Sequence, residues 1–352
     1  MKITEETIAR EAGVSKASVS RYFNPIERDK LKPETRDRIQ PVVQEHDFEP
    51  EKRSAKKRKY QTGVFGVLVP YSADLFESPY HRGVLSGIMA AMENSSYEIR
   101  LIPVRDDGYG NIRRFLQKYL VDGLIILTWR SHPNLIKLVE SVSKPFPIIL
   151  INDFDETVYA NFAYCDVGEG MAKAVGYLAD KGKRRIAFLR GPVHNKIGFG
   201  ETAMSIESID SMQKYEGFRG AMKANDFEIR EDWIKECSCY VSEEGFKKAS
   251  ELFAGDKCPD SVICSNDALA KGVLDYLAEK GIKCPEEVSV IGFDGYEESE
   301  YTVPPLTTIK QPLKEMGLKA GELLIEISNG LGRHSGVVRQ KFEPELVIRK
   351  SA

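Results

Sequence analysis

From residue 64 onward, short apolar runs alternate with amphipathic segments, and this alternation limits the folds open to the chain. The apolar runs are VFGVLV (64–69), GLIIL (123–127), PIILI (147–151), RIAFL (185–189), SVIC (261–264) and VSVIG (288–292). Amphipathic stretches such as 170–182 and 268–281 lie between them. Continuous apolar runs are typical of strands buried on both faces, and their alternation with helices predicts parallel sheets. Six runs are too many for one compact sheet of this kind, so we predict two βαβ subdomains.

Polar side chains follow four of these runs, and ligands of parallel sheets bind at the carboxyl ends of strands. These side chains are Tyr71, Ser72 and Asp74, then Asn152 and Asp153, then Asn266 and Asp267, and finally Asp294. Taken singly, each fits a turn or a helix N-cap better, as Asp267 does before ALAKG. Together they predict a shared crevice, and Asn and Asp beside an aromatic ring suit a polyhydroxylated ligand such as a sugar.

Residues 4–24 predict two short helices joined by a tight turn. Thr4 is placed to cap the first helix, and Gly13 can adopt the positive φ that ends it. Ser15 is placed to cap the second helix, and the apolar residues of both recur at helical spacing. Two short helices with a glycine turn form a helix-turn-helix, although an ordinary α-hairpin has the same periodicity.

The outward face of the second helix favours the DNA-binding interpretation. Its residues are Lys16, Ala17, Ser20 and Arg21. Arginine binds guanine O6 and N7 with two hydrogen bonds, whereas serine and lysine more often contact phosphate. A third helix is predicted from about Pro33, because proline suits a first helical turn. Pro41 does not suit a helix interior, so we expect a kink or an early end there.

Charge is distributed unevenly along the chain. The first 60 residues carry 15 basic and 11 acidic side chains, whereas the whole chain has a net charge of −3. A basic head on an acidic body indicates that the head meets a polyanion. The run RSAKKRKY (53–60) shows no hydrophobic periodicity, so it fits either a DNA-facing segment or a solvated linker.

Several classes of protein are disfavoured by the sequence. No apolar run approaches the roughly 20 residues of a membrane span, and the first ten residues lack the apolar segment of a signal peptide. The six cysteines form no CxxC pair and no metal spacing, which favours a cytoplasm with reduced thiols. No GxSxG, HExxH or P-loop is present. We therefore expect a cytoplasmic protein that is not an enzyme and needs no cofactor or metal.

The segment IAREAGVSKASVSRYFN (8–24) resembles the N-terminal signature of the lactose/galactose repressor (LacI/GalR) family of bacterial transcription regulators. Further matches follow in family order and at about family spacing. They are TGVFGVLVP, LVDGLIIL, DVGEG, GKRRIAFLRGP, KYEGFRGAM, PDSVICSNDALAKGVL, PEEVSVIGFDG and PPLTTIKQP. The resemblance covers nearly the whole chain, and the last three motifs are highly specific in combination.

The resemblance implies an N-terminal all-α helix-turn-helix DNA-binding domain and an α/β effector domain of two lobes, like a periplasmic binding protein. The implied ranges are 1–50 for the DNA-binding domain, 51–61 for a basic hinge or linker, 62–345 for the effector domain and 346–352 for a tail. Within the effector domain, we expect one lobe at 62–162 with 294–322 and the other at 163–293 with 323–345.

The resemblance also implies functional residues. Lys16, Ala17 and Arg21 become the candidate base readers, and the other candidate DNA contacts are Thr4, Ser15, Ser18, Ser20, Asn24, Arg53, Lys56 and Lys57. The candidate effector contacts are Ser78, Tyr80, His81, Asn152, Lys214, Tyr240, Asn266 and Asp294. Tyr240 is expected to stack on the ligand. Lys214 stands where the family usually has arginine, and lysine offers a point charge instead of a planar fork.

The function implied by the resemblance is a regulator of transcription, expected to be a repressor. It would read pseudopalindromic operators in double-stranded DNA as a homodimer, under control of a sugar or sugar derivative bound between the lobes. The C-terminal FEPELVIRKSA carries no leucine heptads, which favours a dimer over a tetramer. A soluble cytoplasmic sugar sensor that acts through protein partners stays open as the alternative.

The hinge gives a first testable prediction. In the family a leucine of the hinge wedges between base steps, and the matching position here holds Lys57, which cannot be an apolar wedge. We expect this hinge to bind phosphates or a narrow groove electrostatically and to bend DNA less. Replacing Lys56 or Lys57 with alanine should reduce the slope of log affinity against log salt by about 1, as measured by operator titrations across salt concentrations. A strong bend in a circular-permutation gel assay would contradict this.

Overall fold

The computed structural model divides the chain into two units, Met1–Gln61 and Thr62–Ala352. It describes residues 4–23, 31–46, 62–70, 75–104, 120–127, 146–152, 154–197, 204–330 and 336–352. Several predicted site residues lie outside the described residues, namely Asn24, Arg53, Lys56 and Lys57 among the DNA contacts, and Tyr71, Ser72, Asp74 and Asp153 among the strand-end residues.

The described residues of the first unit form three helices, α1 Glu5–Glu11, α2 Lys16–Tyr22 and α3 Pro33–Glu45. Both predicted N-caps are confirmed. The hydroxyl of Thr4 accepts the backbone N–H of Thr7 at 3.3 Å, and that of Ser15 accepts the N–H of Ser18 at 3.1 Å. Gly13 has φ +61° and turns the chain between α1 and α2, as the left-handed region allows for glycine.

A small apolar core holds the three helices together. Its buried members are Ile8, Ala9, Ala12, Val19, Tyr22, Leu31 and Ile39. The small side chains of α1 let α2 approach closely, and the guanidinium of Arg38 on α3 donates to the carbonyl oxygen of Gly13 at 2.7 Å. This bond fixes the turn that sets the angle between α1 and α2.

A kink or an early end is expected at Pro41, and the early end is wrong, because α3 continues through Pro41 to Glu45. Proline removes the N–H that would bond to the carbonyl of Asp37. Both Pro41 and Asp37 are exposed, so water can satisfy the carbonyl that this N–H would otherwise have bonded.

The second unit contains fourteen strands among its described residues. In chain order they are β1 Val64–Pro70, β2 Glu98–Val104, β3 Gly123–Leu127, β4 Ile148–Ile151, β5 Asn161–Cys165, β6 Ile186–Arg190, β7 His194–Ile197, β8 Met204–Glu207, β9 Ile234–Glu236, β10 Ser261–Cys264, β11 Ser289–Asp294, β12 Thr307–Lys310, β13 Arg339–Phe342 and β14 Glu345–Val347. The helices are α4 Pro79–Met92, α5 Val167–Asp180, α6 Ile209–Ala224, α7 Ser242–Leu252, α8 Asp267–Lys280 and α9 Leu313–Ser328.

Two six-stranded sheets define two lobes, which confirms the predicted fold class. The first sheet has the order β13-β5-β4-β3-β1-β2 and is parallel throughout. The second has the order β14-β12-β11-β10-β6-β9 and is parallel except where β12 meets β14. Helices cover the sheets, and the apolar clusters lie between helix and strand.

The expected division into lobes is wrong in its C-terminal part, where 294–322 was placed in the first lobe and 323–345 in the second. Strand β12, which was assigned to the first lobe, pairs with β11 in the second sheet, with Thr307 opposite Ile291. Helix α9 and strand β13 belong to the first lobe, and β14 returns to the second. Strand β12 reads TTIK and offers no apolar run, although its Thr307 and Thr308 are fully buried. Three short crossovers, at 165–167, 310–313 and 342–345, therefore connect the lobes.

Close contacts between helices orient α4, the helix that carries Tyr80 and His81. A Cβ atom on Gly87 of α4 would lie 1.9 Å from the carbonyl oxygen of Lys314 on α9, and one on Gly317 of α9 would lie 2.1 Å from the carbonyl oxygen of Val84. Glycine is needed at both positions, because any side chain would separate the helices.

An antiparallel hairpin, β7 with β8, follows directly after β6 at the carboxyl end of the second sheet. Its base is closed by the N–H of Ser208, which donates to the carbonyl oxygen of Val193 at 2.8 Å. Neither strand was predicted. Ser208 also caps α6, so the hairpin leads directly into the helix that carries Lys214. Within the described part of the chain, no helix is long and apolar enough to cross a bilayer.

Candidate functional site

In the first unit, helix α2 presents a polar outward face. Lys16, Ala17 and Arg21 are exposed, whereas Val19 and Tyr22 pack inward. Lys16 Nζ lies 3.5 Å from a carboxylate oxygen of Glu6 on α1. Since both side chains of this pair are more than half exposed, it is weak, and the lysine can exchange that partner for a phosphate.

The remaining described DNA candidates lie at the start of this face or of α1. Ser15 is exposed, and Ser18 and Ser20 are half-buried. The hydroxyls of Thr4 and Ser15 already accept capping bonds. Ser15 therefore fixes the N-terminus of α2, which is the part of a recognition helix that reaches base edges.

In the second unit, the lobes meet at the carboxyl ends of β4 and β11. Asn152 follows β4 and has φ +57°, and Asp294 ends β11 with φ +97°. Left-handed backbone is uncommon for residues other than glycine and concentrates at functional sites. At both positions the chain turns sharply, so that a polar side chain stands at the end of a central strand.

Gln311 bridges these two side chains. Its amide donates to Asp294 Oδ1 at 2.7 Å, and its amide oxygen accepts from Asn152 Nδ2 at 3.4 Å. Gln311 lies in the crossover between β12 and α9, and it is 4% exposed. A buried chain of hydrogen bonds therefore runs from the first lobe, through a crossover, into the second lobe.

Asn152 is also held within the first lobe. Its Nδ2 atom donates to the hydroxyl of Tyr80 at 2.7 Å, and its Oδ1 atom accepts the N–H of Cys165 at 3.0 Å. On the other side of the crevice, Gln213 of α6 donates to the carbonyl oxygen of Phe154 at 3.0 Å. The Gln213–Phe154 bond is therefore a second link between the lobes, in addition to the Asn152–Gln311–Asp294 bridge.

Lys214 forms the centre of the second-lobe half of the site. Its ammonium lies 3.1 Å from Asp210 and 3.5 Å from Asp294, and it donates to the carbonyl oxygen of Ser265 at 2.9 Å. It also lies 4.3 Å from the centre of the Phe293 ring. Burial alone would lower the pKa of Lys214, but the two carboxylates outweigh it and raise the pKa. Lys214 is therefore a buried cation with a complete set of partners.

Tyr240 lies beside this group. Its hydroxyl donates to Asp210 Oδ2 at 3.4 Å, and a Cβ atom on Gly191 would lie 2.1 Å from that hydroxyl. Glycine at 191 therefore leaves the space that the phenol occupies. Burial, reinforced by Asp210 and Asp294, raises the pKa of Tyr240 well above its usual value.

Asn266 positions Tyr240 and starts α8. Its Oδ1 atom accepts the N–H of Leu269 at 2.9 Å, and its Nδ2 atom donates to the carbonyl oxygen of Tyr240 at 3.4 Å. The N-cap of α8 is thus Asn266, and the assignment of that role to Asp267 is wrong. Asp267 is instead buried, and burial raises its pKa to about 8, so its carboxyl is mainly protonated at neutral pH.

His81 is a half-buried histidine on α4 of the first lobe, and both of its ring nitrogens are shielded from solvent. Neither ring nitrogen has a hydrogen-bond partner among the described residues. Its ring meets that of Tyr80 edge to face, with centroids 5.4 Å apart. Burial lowers the pKa of His81 from 6.5 to about 4. Ser78 is half-buried at the N-cap position of α4, and its side chain makes no capping bond.

Replacing His81 with phenylalanine should stabilise the ligand-free protein by about 1–2 kcal/mol, because a buried unsatisfied polar group costs about that much. Unfolded His81 binds a proton near pH 6.5 and folded His81 only near pH 4, so the natural protein loses stability as the pH falls through this window. The phenylalanine variant lacks this loss, and its advantage should widen at acid pH. Urea unfolding at about pH 7.5 and about pH 5 measures both effects. If the natural protein and the phenylalanine variant were equally stable at each pH, the ring nitrogens of His81 would have hydrogen-bond partners.

The structure joins five predicted effector residues into one network, namely Tyr80, Asn152, Asp294, Lys214 and Tyr240. Sequence reasoning missed its connecting residues. Gln311 belongs to PPLTTIKQP, but its motif was used only as a mark of resemblance. Asp210 stands four residues before Lys214, a spacing at which helical side chains meet, and this signal could have found it.

Comparisons with known proteins agree with both units. The family described as "Bacterial regulatory proteins, lacI family" matches residues 6–51, and the one described as "Periplasmic binding protein-like domain" matches residues 175–352. The HTH-type transcriptional repressor PurR of Vibrio cholerae serotype O1 (strain M66-2) is 30% identical over 325 residues, which cover 92% of this chain and 90% of that protein. PurR of Pasteurella multocida (strain Pm70) is 27% identical over 350 residues, 99% and 98% of the two chains.

Solved structures share the fold. A complex of the transcriptional regulator CelR with cellobiose has a TM-score of 0.70 at 24% identity and covers 100% of both chains. The lac repressor dimer bound to operator and the anti-inducer ONPF has a TM-score of 0.70 at 21% identity and covers 100% of this chain and 99% of that one. Given the helix-turn-helix, the two-lobed domain and a repressor relative that is 30% identical over nearly its whole length, the chain belongs to the lacI family of bacterial regulatory proteins.

Proposed function

We propose that this chain is a repressor whose affinity for its operator is set by a small polar molecule, of the sugar class, bound between the two lobes. The observation that carries the proposal is the buried bridge of Asn152, Gln311 and Asp294, which connects both lobes through a crossover. A ligand that replaces these bonds changes how the lobes are held together. The acceptor-rich surroundings, Asp210 and Asp294 beside Tyr240, suit hydroxyl groups and a sugar ring.

The coupling follows from differential binding. A ligand shifts an equilibrium between two arrangements only as far as its affinities for them differ. In a homodimer that reads a pseudopalindrome, two recognition helices must lie one helical turn of DNA apart. A change in lobe closure that alters this spacing weakens or strengthens operator binding. The proposal includes two further points, that the protein is a homodimer and that residues 51–61 form a hinge.

The experiment combines operator selection with effector screening. The full chain is used to select duplexes from random palindromic DNA, and selected duplexes are retested by gel retardation with sugars that raise the melting temperature. A ligand at a hundred times its Kd stabilises a protein by about 2.7 kcal/mol, which a thermal-shift screen detects. We expect the protein to bind selected duplexes specifically, and we expect its affinity for them to change when a stabilising sugar is added. Tight sugar binding without binding to any DNA would favour a sensor that acts through protein partners, and turnover of the sugar would favour an enzyme.

Arg21 on the exposed face of α2 gives the prediction for the DNA-binding half. Arg21→Ala should reduce discrimination between the operator and a single-base variant by about 1–3 kcal/mol, since it removes a two-pronged contact with a base edge. Competition titrations against specific and random duplexes measure this. Arg219→Ala, which changes an exposed arginine in the other unit, should leave discrimination unchanged. If Arg21→Ala weakened binding to specific and random DNA equally, Arg21 would contact only phosphate.

A further inference from the structure

We infer that the crevice discriminates against anionic ligands and takes an uncharged, hydroxyl-rich one, because its buried ammonium is already shared by two carboxylates. The inference rests on the proposed function, since it names the chemical class of ligand for the same crevice. Its basis is the arrangement of Lys214, Asp210 and Asp294.

The donors of Lys214 are fully used. An ammonium has three N–H donors, and Lys214 has three acceptors within 3.5 Å, namely Asp210, Asp294 and the carbonyl oxygen of Ser265. A phosphate or carboxylate on a ligand could reach this ammonium only by displacing one of them. Displacement of a carboxylate would leave a buried negative charge without its partner, which is strongly unfavourable.

The exposures of the three side chains show which charge a ligand meets first. The side chain of Lys214 is 3% exposed and that of Asp294 is 8% exposed, whereas that of Asp210 is 33% exposed. Burial raises the pKa of Asp210, whereas the Lys214 ammonium 3.1 Å away favours its charged form. Two carboxyl groups therefore surround one ammonium, and that of Asp210 is the most accessible of the three groups.

This arrangement treats ligands differently according to their charge. An anion approaching Asp210 is repelled, and the repulsion is strong where water is partly excluded. A hydroxyl group can instead donate to Asp210, since an ionised carboxylate only accepts hydrogen bonds and has sites for several. Tyr240, whose hydroxyl lies on Asp210, supplies an apolar surface next to that acceptor. An uncharged polyol satisfies the carboxylate without disturbing Lys214.

The test compares matched pairs of ligands by titration calorimetry on the full chain in a phosphate-free buffer. The pairs are glucose with glucose 6-phosphate, ribose with ribose 5-phosphate, galactose with galacturonate and inosine with inosine monophosphate. We expect the uncharged members to bind with a stoichiometry of one ligand per chain. Their anionic partners should bind at least about tenfold more weakly, which corresponds to about 1.4 kcal/mol. Equal or tighter binding of an anionic partner overturns this inference alone. Binding of no member overturns it together with the effector role of the crevice.

Asp210→Asn isolates the charge while keeping the shape of the side chain. In this variant, the ratio of the affinity for an uncharged ligand to the affinity for its anionic partner should fall by about threefold or more. In Asp210→Glu, this ratio of affinities should be unchanged. Asp275→Asn is the matched control, because Asp275 forms an exposed pair with Lys271 four residues away. Thermal unfolding confirms that each variant folds. An unchanged ratio in Asp210→Asn overturns the assignment to Asp210.

Discussion

Replacing Lys214 with methionine should lower the free energy of unfolding of the second unit by about 3–5 kcal/mol, the cost of leaving a buried charge without its partner. Lys214 is 2% exposed, and its loss would leave Asp210 and Asp294 facing one another without the ammonium between them. Methionine fills much of the same volume, so the effect comes from charge more than from packing. Urea unfolding followed by tryptophan fluorescence measures it.

Lys271→Met is the control for this prediction. Lys271 lies 2.6 Å from Asp275, closer than Lys214 lies to either of its carboxylates, but both side chains of this pair are at least half exposed. Exposed pairs contribute at most about 1 kcal/mol, so this variant should unfold nearly like the natural protein. If the two lysine variants lost equal stability, the Lys214 group would be solvated, contrary to its burial.

Replacing Asp294 with asparagine should remove the response to effector while leaving operator binding by the ligand-free protein intact. Asp294 receives hydrogen bonds from Gln311 at 2.7 Å and from the hydroxyl of Tyr296 at 2.6 Å, and it faces Lys214. An effector hydroxyl that donates to this carboxylate gains a hydrogen bond to a charged group, worth about 1.5–3 kcal/mol, so removal of the charge should lower effector affinity roughly 10- to 100-fold.

Calorimetry with the effector and gel retardation with the operator measure the two halves of this prediction separately. Asp275→Asn again serves as the control, since it removes the same charge from an exposed helix surface. Unchanged effector affinity in Asp294→Asn would exclude Asp294 from the site. Loss of operator binding without ligand would show that Asp294 maintains the fold of the second unit instead of sensing a ligand.

The sequence predicted the centre of each sheet better than its edges. The six apolar runs correspond to β1, β3 and β4 in the first sheet and to β6, β10 and β11 in the second, which are interior strands in both. These six strands are buried on both faces and therefore read as continuous apolar runs, whereas β12, TTIK, is also interior but fills its place with two buried threonines. Edge strands such as β13, RQKF, and β9, IKE, keep exposed side chains, so their sequences carry no such signal.

The same physics explains what was found of the site. Asn152 and Asp294 were accessible to prediction because they end interior strands. Asp210 and Gln311 lie on a helix and in a crossover, and their place beside Asp294 depends on how distant segments pack. Helix α3 continues through Pro41 because Pro41 and Asp37 are exposed to water. The periodicity of the sequence does not specify this exposure.

The bridge of Asn152, Gln311 and Asp294 has a consequence for the concentration at which this regulator responds. Its polar groups already bond to one another, so an effector must break internal bonds before forming its own. Each internal bond that is lost without replacement weakens the complex by about 1 kcal/mol, roughly a fivefold increase in the half-saturating concentration. Under the proposed function, these internal bonds therefore raise the effector concentration at which the repressor changes state.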